Sequence, residues 1–252
     1  MNGFYGAEQS RIHDERFGDL AARAATHVAG LLGAQGVVAG TWVDLGCGSG
    51  ILARAADECG FDVLGVDVSS AMLDLARQRA PGARFVQGSA FDANLPPCVA
   101  VTATGEVLGY LTAGESGESL PERLARLLGR VRTALSPDGV LVFDLAGPGR
   151  HGSSRRTQRV HDGDGWLLAM DATEDPGAAL LDRRVTIFTQ AQAGCWQRVD
   201  ELQRLRLMPP TEVVRVLERQ GFDVNVLKDY AQGEGLPGWA VYEARPRPAA
   251  DH

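Results

Sequence analysis

The chain reads first as an alternation of short apolar runs and longer amphipathic stretches. Across residues 10–32, Ile12, Phe17, Leu20, Ala24, Val28 and Leu31 recur at three- and four-residue steps. That is the period of a helix with one apolar face. Five short runs follow, at 41–45, 62–67, 84–87, 100–104 and 140–145. They are too brief for helices, are bounded by turn residues, and read as strands. Between them, 51–59, 70–79 and 121–135 read as helices. The second is stopped by Pro81-Gly82 and the third by Ser136-Pro137-Asp138-Gly139. Strand–helix alternation predicts a parallel sheet with helices on both faces.

The rhythm changes after residue 147, and no helical period returns before 207. Residues 147–165 look like loop. Residues 166–172, 181–189 and 197–207 look like strands, with alternation at Val185, Ile187 and Thr189. They predict an antiparallel insertion. A helix at 211–220 ends at Gly221, and 223–227 and 239–244 complete the main sheet as its only antiparallel edge.

The chemistry concentrates where the first strand ends. Asp44-Leu45-Gly46-Cys47-Gly48-Ser49-Gly50 is an acid, then three glycines at alternate positions, then a helix. Glycine admits positive φ and lets a ligand approach the backbone. A glycine turn feeding a helix N-terminus suits a nucleotide-like ligand. The second strand also ends in an acid, Asp67, 21 residues beyond Gly46. In a βαβ unit such a carboxylate accepts from ribose hydroxyls; a helix cap before Val68-Ser69-Ser70 is the other reading of Asp67.

These two motifs, with Gly65-Val66-Asp67-Val68-Ser69-Ser70-Ala71-Met72-Leu73, resemble class I S-adenosylmethionine-dependent methyltransferases. The glycines are spaced G-x-G-x-G, as in that family, and not G-x-G-x-x-G. The resemblance covers about residues 10–245. It implies a doubly wound, seven-stranded, mostly parallel Rossmann-like α/β sheet with an antiparallel β insertion after strand five. The implied organisation is an N-terminal helical lid (1–35), a cofactor-binding core (36–146) and an antiparallel β cap (147–210). The final helix and edge strands (211–245) and a disordered tail (246–252) follow.

The implied cofactor is S-adenosyl-L-methionine, and ligands belong at the C-terminal strand ends. Asp44, Gly46, Gly48 and Gly50 would face its amino-acid part. Asp67 would take the ribose, with Val68 and Met72 near the adenine. After strand three, Ser89 stands where the family often has an acid, so backbone contact at Ser89 and Ala90 is expected. Phe91 either flanks the ring or sits in the core. Thr104 and Gly105 would lie under the methionine moiety. Arg16 is a candidate for the cofactor carboxylate, with Tyr5 or Phe17 covering it.

Glu106 is an acid in an apolar segment at the catalytic edge. It is a candidate to bind the cofactor ammonium, to bind a cationic substrate, to act as a base, or merely to cap a helix. His13 is a second candidate base, and His151 and His161 are comparable. Tyr110 and Asp144 are candidate substrate contacts. No Asn/Asp-Pro-Pro-Tyr tetrad follows strand four, which argues against planar amide nitrogens as acceptors. Strand four ends in Thr104 and not in an acid, so no metal is expected.

Composition narrows the partners. The chain has 252 residues, 44% of them hydrophobic, enough for one α/β domain with an insertion. Net charge is −7 and Lys228 is the only lysine, which argues against a nucleic-acid substrate. The four cysteines form no CxxC pair. With no apolar run of membrane length, the chain is expected to be cytoplasmic and off the membrane; a homodimer is left open. The expected function is in-line methyl transfer to the N or O of a small molecule. Two alternatives stand: a lyase or cyclase that releases 5′-methylthioadenosine, and a binding module without turnover.

Overall fold

A computed structural model of the chain describes residues 7–111, 118–152, 156–191, 194–230 and 235–248. Of the side chains of 7–17, that of Ile12 alone is described. The main elements are α1 (Ala7–Gly33), β1 (Thr41–Leu45), α2 (Ile51–Glu58), β2 (Asp62–Asp67), α3 (Ser70–Arg79), β3 (Arg84–Gln87) and β4 (Cys98–Ala103). Then come a 3-10 turn (Val107–Gly109), α4 (Leu120–Ala134) and β5 (Leu135–Ala146). The insertion contributes β6 (Arg156–Gly163), β7 (Trp166–Asp175), β8 (Leu180–Gln190) and β9 (Trp196–Arg206). The chain closes with α5 (Pro210–Arg219), β10 (Phe222–Leu227) and β11 (Trp239–Pro246).

The main sheet has seven strands in the order β10-β11-β5-β4-β1-β2-β3. The strands from β3 to β5 are parallel, and β11 runs antiparallel to both its neighbours. Period-two burial decides which side chains meet which layer. Val43, Leu45, Val101, Leu141, Phe143 and Tyr242 pack against α4 and α5, with Phe143 and Tyr242 stacked at 5.0 Å. Trp42, Ala100, Val140, Val142 and Val241 face α1 and α2. A strand covered on both faces needs apolar residues on both, which is why these runs barely alternate. Truncating such a buried leucine to alanine costs roughly 2–5 kcal/mol.

Four of the expected ranges coincide with β1, β2, α3 and β3. Three expectations need correction. The stretch read as loop contains β6, whose eight residues include one large hydrophobic, the exposed Val160. An edge strand open to solvent carries no apolar alternation to read. The antiparallel strand β11 is not the edge; β10 is, because β11 inserts between it and β5. Pro246 and Arg247 are not tail: Pro246 pairs with Phe222, and Arg247 donates to Gly221 O at 2.8 Å. The rest of the expected tail, from residue 249, lies outside the described residues.

The insertion is an antiparallel meander in the order β6-β7-β8-β9. Its inner face carries Trp166, Leu168, Val185 and Ile187, which close on Ile12 of α1. Further along α1, Ala24, Val28 and Leu32 pack on the main sheet. One helix therefore spans both sheets. His27 Nε2 meets Glu243 at 2.6 Å and Arg23 meets Asp229 at 3.1 Å, fixing α1 to the sheet side.

The three glycines of the turn differ in what they face. A Cβ at Gly46 would meet Val107, and one at Gly50 would lie 2.9 Å from the Ala76 backbone. A Cβ at Gly48 meets nothing within 4 Å. All three have positive φ. Gly50→Ala should therefore lower stability by about 1–3 kcal/mol from backbone strain alone, with the clash added. Gly48→Ala should carry the strain only. Urea unfolding of the two variants checks this, and equal losses would contradict the packing role of Gly50.

Candidate active site

The glycine turn, the end of β2 and the segment after β4 lie side by side at the C-terminal strand ends. Gly46 N and Cys47 N both donate to Val66 O, locking the turn to β2. Cys47 is buried, and a Cβ on Gly65 would come within 2.9 Å of its sulfur. Burial, with Asp44 and Asp67 nearby, raises its thiol well above the usual range, so it fills space and is no nucleophile.

Asp67 is held by two backbone donors. Its Oδ2 accepts from Gly48 N at 2.9 Å and its Oδ1 from Ser69 N at 2.8 Å. The helix cap is a different residue, Ser69, whose Oγ accepts from Met72 N at 3.2 Å. A carboxylate has about four acceptor sites, so Asp67 retains capacity for hydroxyl donors. Val68, 43% exposed, offers an apolar surface beside it, whereas Met72 is buried. Ser89 Oγ accepts from Phe91 N at 3.2 Å, so the serine shapes the turn after β3, with Ala90 half-buried in it. Phe91 is core: it is buried in the main cluster, and the Arg123 guanidinium lies 3.9 Å from its ring centre.

A buried polar chain runs across β1 and β4. Trp42 Nε1 donates to Thr102 Oγ1 at 2.9 Å, and that hydroxyl donates to Asp44 Oδ1 at 2.8 Å. Burial pushes the Asp44 carboxyl up to about 7, opposed by the Thr102 hydrogen bond. Thr102 has no place in the sequence reading, although its register opposite Asp44 makes it the orienting partner.

Asp144, at the end of β5, is not free for a substrate. Its Oδ2 accepts from Gly105 N at 2.9 Å and Tyr230 OH at 2.7 Å. Its Oδ1 accepts from Glu106 N at 2.5 Å and Trp239 Nε1 at 3.2 Å. Four donors occupy one fully buried carboxylate. Burial raises its pKa to about 6, and the Tyr230 hydroxyl holds it down. Gly105 and Glu106 both have positive φ, so their successive N–H groups converge on this one anion.

Glu106 is likewise not a base. It is 5% exposed and caps nothing. Its Oε1 accepts from Arg150 Nε at 2.6 Å and its Oε2 from Arg183 Nη2. Burial acts to raise its pKa, but the two guanidiniums outweigh that and hold the carboxyl below its ordinary value. Its charge is thus already paired with two guanidiniums. Arg150 follows β5 and Arg183 lies on β8, so this ion pair joins core to insertion. Arg183 carried no sequence signal because the register of an insertion strand cannot be read from composition. Arg150 sat at a ligand-bearing strand end, where the sequence reading favoured its neighbour His151.

Thr104 lies just past β4, half-buried, and a Cβ at Gly105 meets nothing within 4 Å. Tyr110 stands at the seam, bridging to Leu205 of β9 and packing on Ala172 and Leu181. The side chains of His13 and Arg16, and all of Tyr5, lie outside the described residues. His161 is on β6 opposite Leu168. No cluster of metal-ligating side chains occurs among the described residues. Among them, too, no helix is long and apolar enough to cross a membrane.

A family model described as "Methyltransferase domain" matches residues 14–226. The chain belongs to this family. Its fold is that of solved methyltransferases. An S-adenosylmethionine-dependent methyltransferase from Clostridium acetobutylicum superposes with a TM-score of 0.78 at 15% identity, covering 96% of this chain and 98% of that one. The sugar N-methyltransferase KedS8 from Streptoalloteichus superposes with a TM-score of 0.74 at 19% identity, covering 98% of each. In sequence, the ubiquinone biosynthesis O-methyltransferase of Actinobacillus pleuropneumoniae is 32% identical over 116 residues, 44% of this chain and 47% of that protein. The match thus spans about half the length of that curated relative. S-adenosyl-L-methionine is the cofactor of the family, and the residues present fit it: an open glycine, an acid with spare acceptor sites, and an exposed valine beside them.

Asp44 and Asp144 make stability depend on pH. Their folded pKa values lie above the ordinary carboxylate value, so the folded chain holds protons that the unfolded chain has released. That stabilisation is complete below about pH 4 and is lost as pH rises to about 7. The native chain should be less stable at pH 8 than at pH 5, and Asp44→Asn should narrow the gap. Urea titrations at both pH values check this; an unchanged gap would show that Asp44 ionises normally.

Proposed function

We propose that this chain catalyses methyl transfer from S-adenosyl-L-methionine to the nitrogen or oxygen of a small molecule. The observation that carries the reading is the pairing of Gly48 with Asp67. The glycine leaves room for a ligand against the backbone, and its own N–H aims the carboxylate beside that room. The cofactor, when bound, supplies a methyl group already activated by a sulfonium.

The chain's part is binding, alignment and exclusion of water. Asp67 receives the ribose hydroxyls, Val68 the adenine face, and the Gly48 backbone the amino-acid part. Asp44, oriented by Thr102, gives the buried end of the crevice a carboxylate that a cofactor ammonium would keep ionised. Thr104 and Gly105 floor the path toward the acceptor. The β6–β9 sheet and α1 cover the strand ends, which suits a small acceptor better than a duplex or a protein surface. Holding two reactants in line contributes roughly 7–11 kcal/mol without any further group. The transfer needs a base only where the acceptor is protonated at working pH. The names of the O-methyltransferase relative and the sugar N-methyltransferase neighbour support both N and O as acceptor atoms.

Calorimetry with S-adenosylhomocysteine tests the site. Asp67→Ala should weaken binding by about 1.5–3 kcal/mol, the range for a hydrogen bond to a charged group. Gly48→Ala should weaken it while circular dichroism stays native. Unchanged affinity in both would remove this crevice as the cofactor site. Product analysis separates the reaction classes: S-adenosylhomocysteine is expected with an acceptor present. Methylthioadenosine above the spontaneous background would instead mark a lyase.

A further inference from the structure

The seam between the two sheets gathers three arginines in a chain whose net charge is −7. Arg150 and Arg183, 14% and 11% exposed, grip the two oxygens of Glu106. Arg150 does so through Nε alone, at 2.6 Å. Its two terminal amino groups have no partner among the described residues. Arg159, on edge strand β6, has none there either. Register puts Arg159 level with Met170 and Val185, and Arg183 lies two residues from Val185 on the same face. That face also carries buried Leu168 and Ile187, so it is the one turned inward. Burial, with the charges of Arg150, Arg183 and Arg159, depresses the imidazole of His151 against the opposing pull of Glu106. The carboxylates there are Glu106, Glu174, whose Oε1 accepts from Gly149 N at 2.9 Å, and Glu201, which register sets opposite Val185 on the same inward face and whose Oε1 accepts from Gln203 Nε2 at 3.2 Å.

Glu106 is more than a counter-charge. Its backbone, in the left-handed region at φ 62, is held by Asp144, so its side chain is aimed from a fixed turn. It positions Arg150 by the inner nitrogen and leaves the outer fork without a partner among the described residues. That fork matches two oxygens of a carboxylate or a phosphate. The methyl donor of the family is itself cationic. A guanidinium fork turned toward it is unfavourable unless the acceptor brings negative charge.

We propose that Arg150, assisted by Arg183 and Arg159, binds an oxyanion of the acceptor, a carboxylate or a phosphate, so that the substrate is an anionic small molecule. This rests on the reading of the crevice as a methyl-transfer site. The test titrates citrate, inorganic pyrophosphate and neutral sorbitol into protein saturated with S-adenosylhomocysteine. At least one anion should bind and sorbitol should not. Citrate alone would name a carboxylate and pyrophosphate alone a phosphate. Arg150→Gln should weaken the anion by about 10–100-fold, the worth of one charge-assisted hydrogen bond, with S-adenosylhomocysteine affinity unchanged. Arg159→Gln, on an exposed edge, should weaken it in the same direction and decides the matter if the Arg150 variant does not fold. Normal S-adenosylhomocysteine binding with no anion binding, or with anion binding that both variants retain, would overturn this proposal alone. Failure of the native chain to bind S-adenosylhomocysteine would overturn the methyl-transfer reading and this proposal with it.

Discussion

The Asp144 carboxylate holds the catalytic edge together. It collects donors from four places: the two N–H groups after β4, the Tyr230 hydroxyl beyond β10, and the Trp239 indole at the start of β11. Each of those segments would otherwise be free to move separately. A carboxylate buried with four donors is costly to replace, because every donor would be stranded. The Gly105–Glu106 turn then follows, since the strained positive φ of Glu106 is held by its N–H on this carboxylate. Glu106 points where that turn sends it. The arginines that meet it, and with them the fit of the insertion on the core, are set by a residue that itself touches no substrate.

Much of this was legible in the sequence, and the failures share a cause. β1, β2, α3 and β3 announced themselves because buried parallel strands are continuous apolar runs, and because Ser69 and Arg79 mark the limits of a helix. The acid ending β2 and the glycine turn were legible because a tight strand-to-helix turn at positive φ restricts residue type. What failed was anything decided by a partner distant in sequence. Asp144 looked like a free acid at a strand end; Tyr230 and Trp239, 86 and 95 residues away, saturate it. Glu106 looked like a base; Arg150 and Arg183, 44 and 77 residues away, neutralise it. β6 escaped because an exposed edge strand has no core side to betray it.

The glycine turn shows how one pattern divides into two physical duties. Gly46 and Gly50 are small because Val107 and Ala76 press against them, whereas Gly48 is small beside open space. The motif is therefore partly a packing device and partly an opening against the backbone. Its sequence cannot separate the two, because a missing Cβ looks the same in either case. The same division applies to the acids that end the strands. Asp67 keeps acceptor capacity after its two backbone bonds, and Asp144 keeps none.

The join between the sheets follows from these constraints. α1 seals one side with Ile12 in the insertion's apolar cluster and with Ala24, Val28 and Leu32 on the core. Tyr110 bridges to β9 at another point. Between these apolar contacts lies the Glu106–Arg150–Arg183 pair, where burial alone would leave charge uncompensated. Removing one partner of a buried ion pair costs about 3–5 kcal/mol, mostly because the other is stranded. Apolar closure holds the insertion in place without specifying its angle, since hydrophobic contact is non-directional. Two guanidiniums on one fixed carboxylate do specify it. The fit of the insertion on the core is thus shaped by electrostatics anchored in the core, through the pair that Glu106 makes with Arg150 and Arg183.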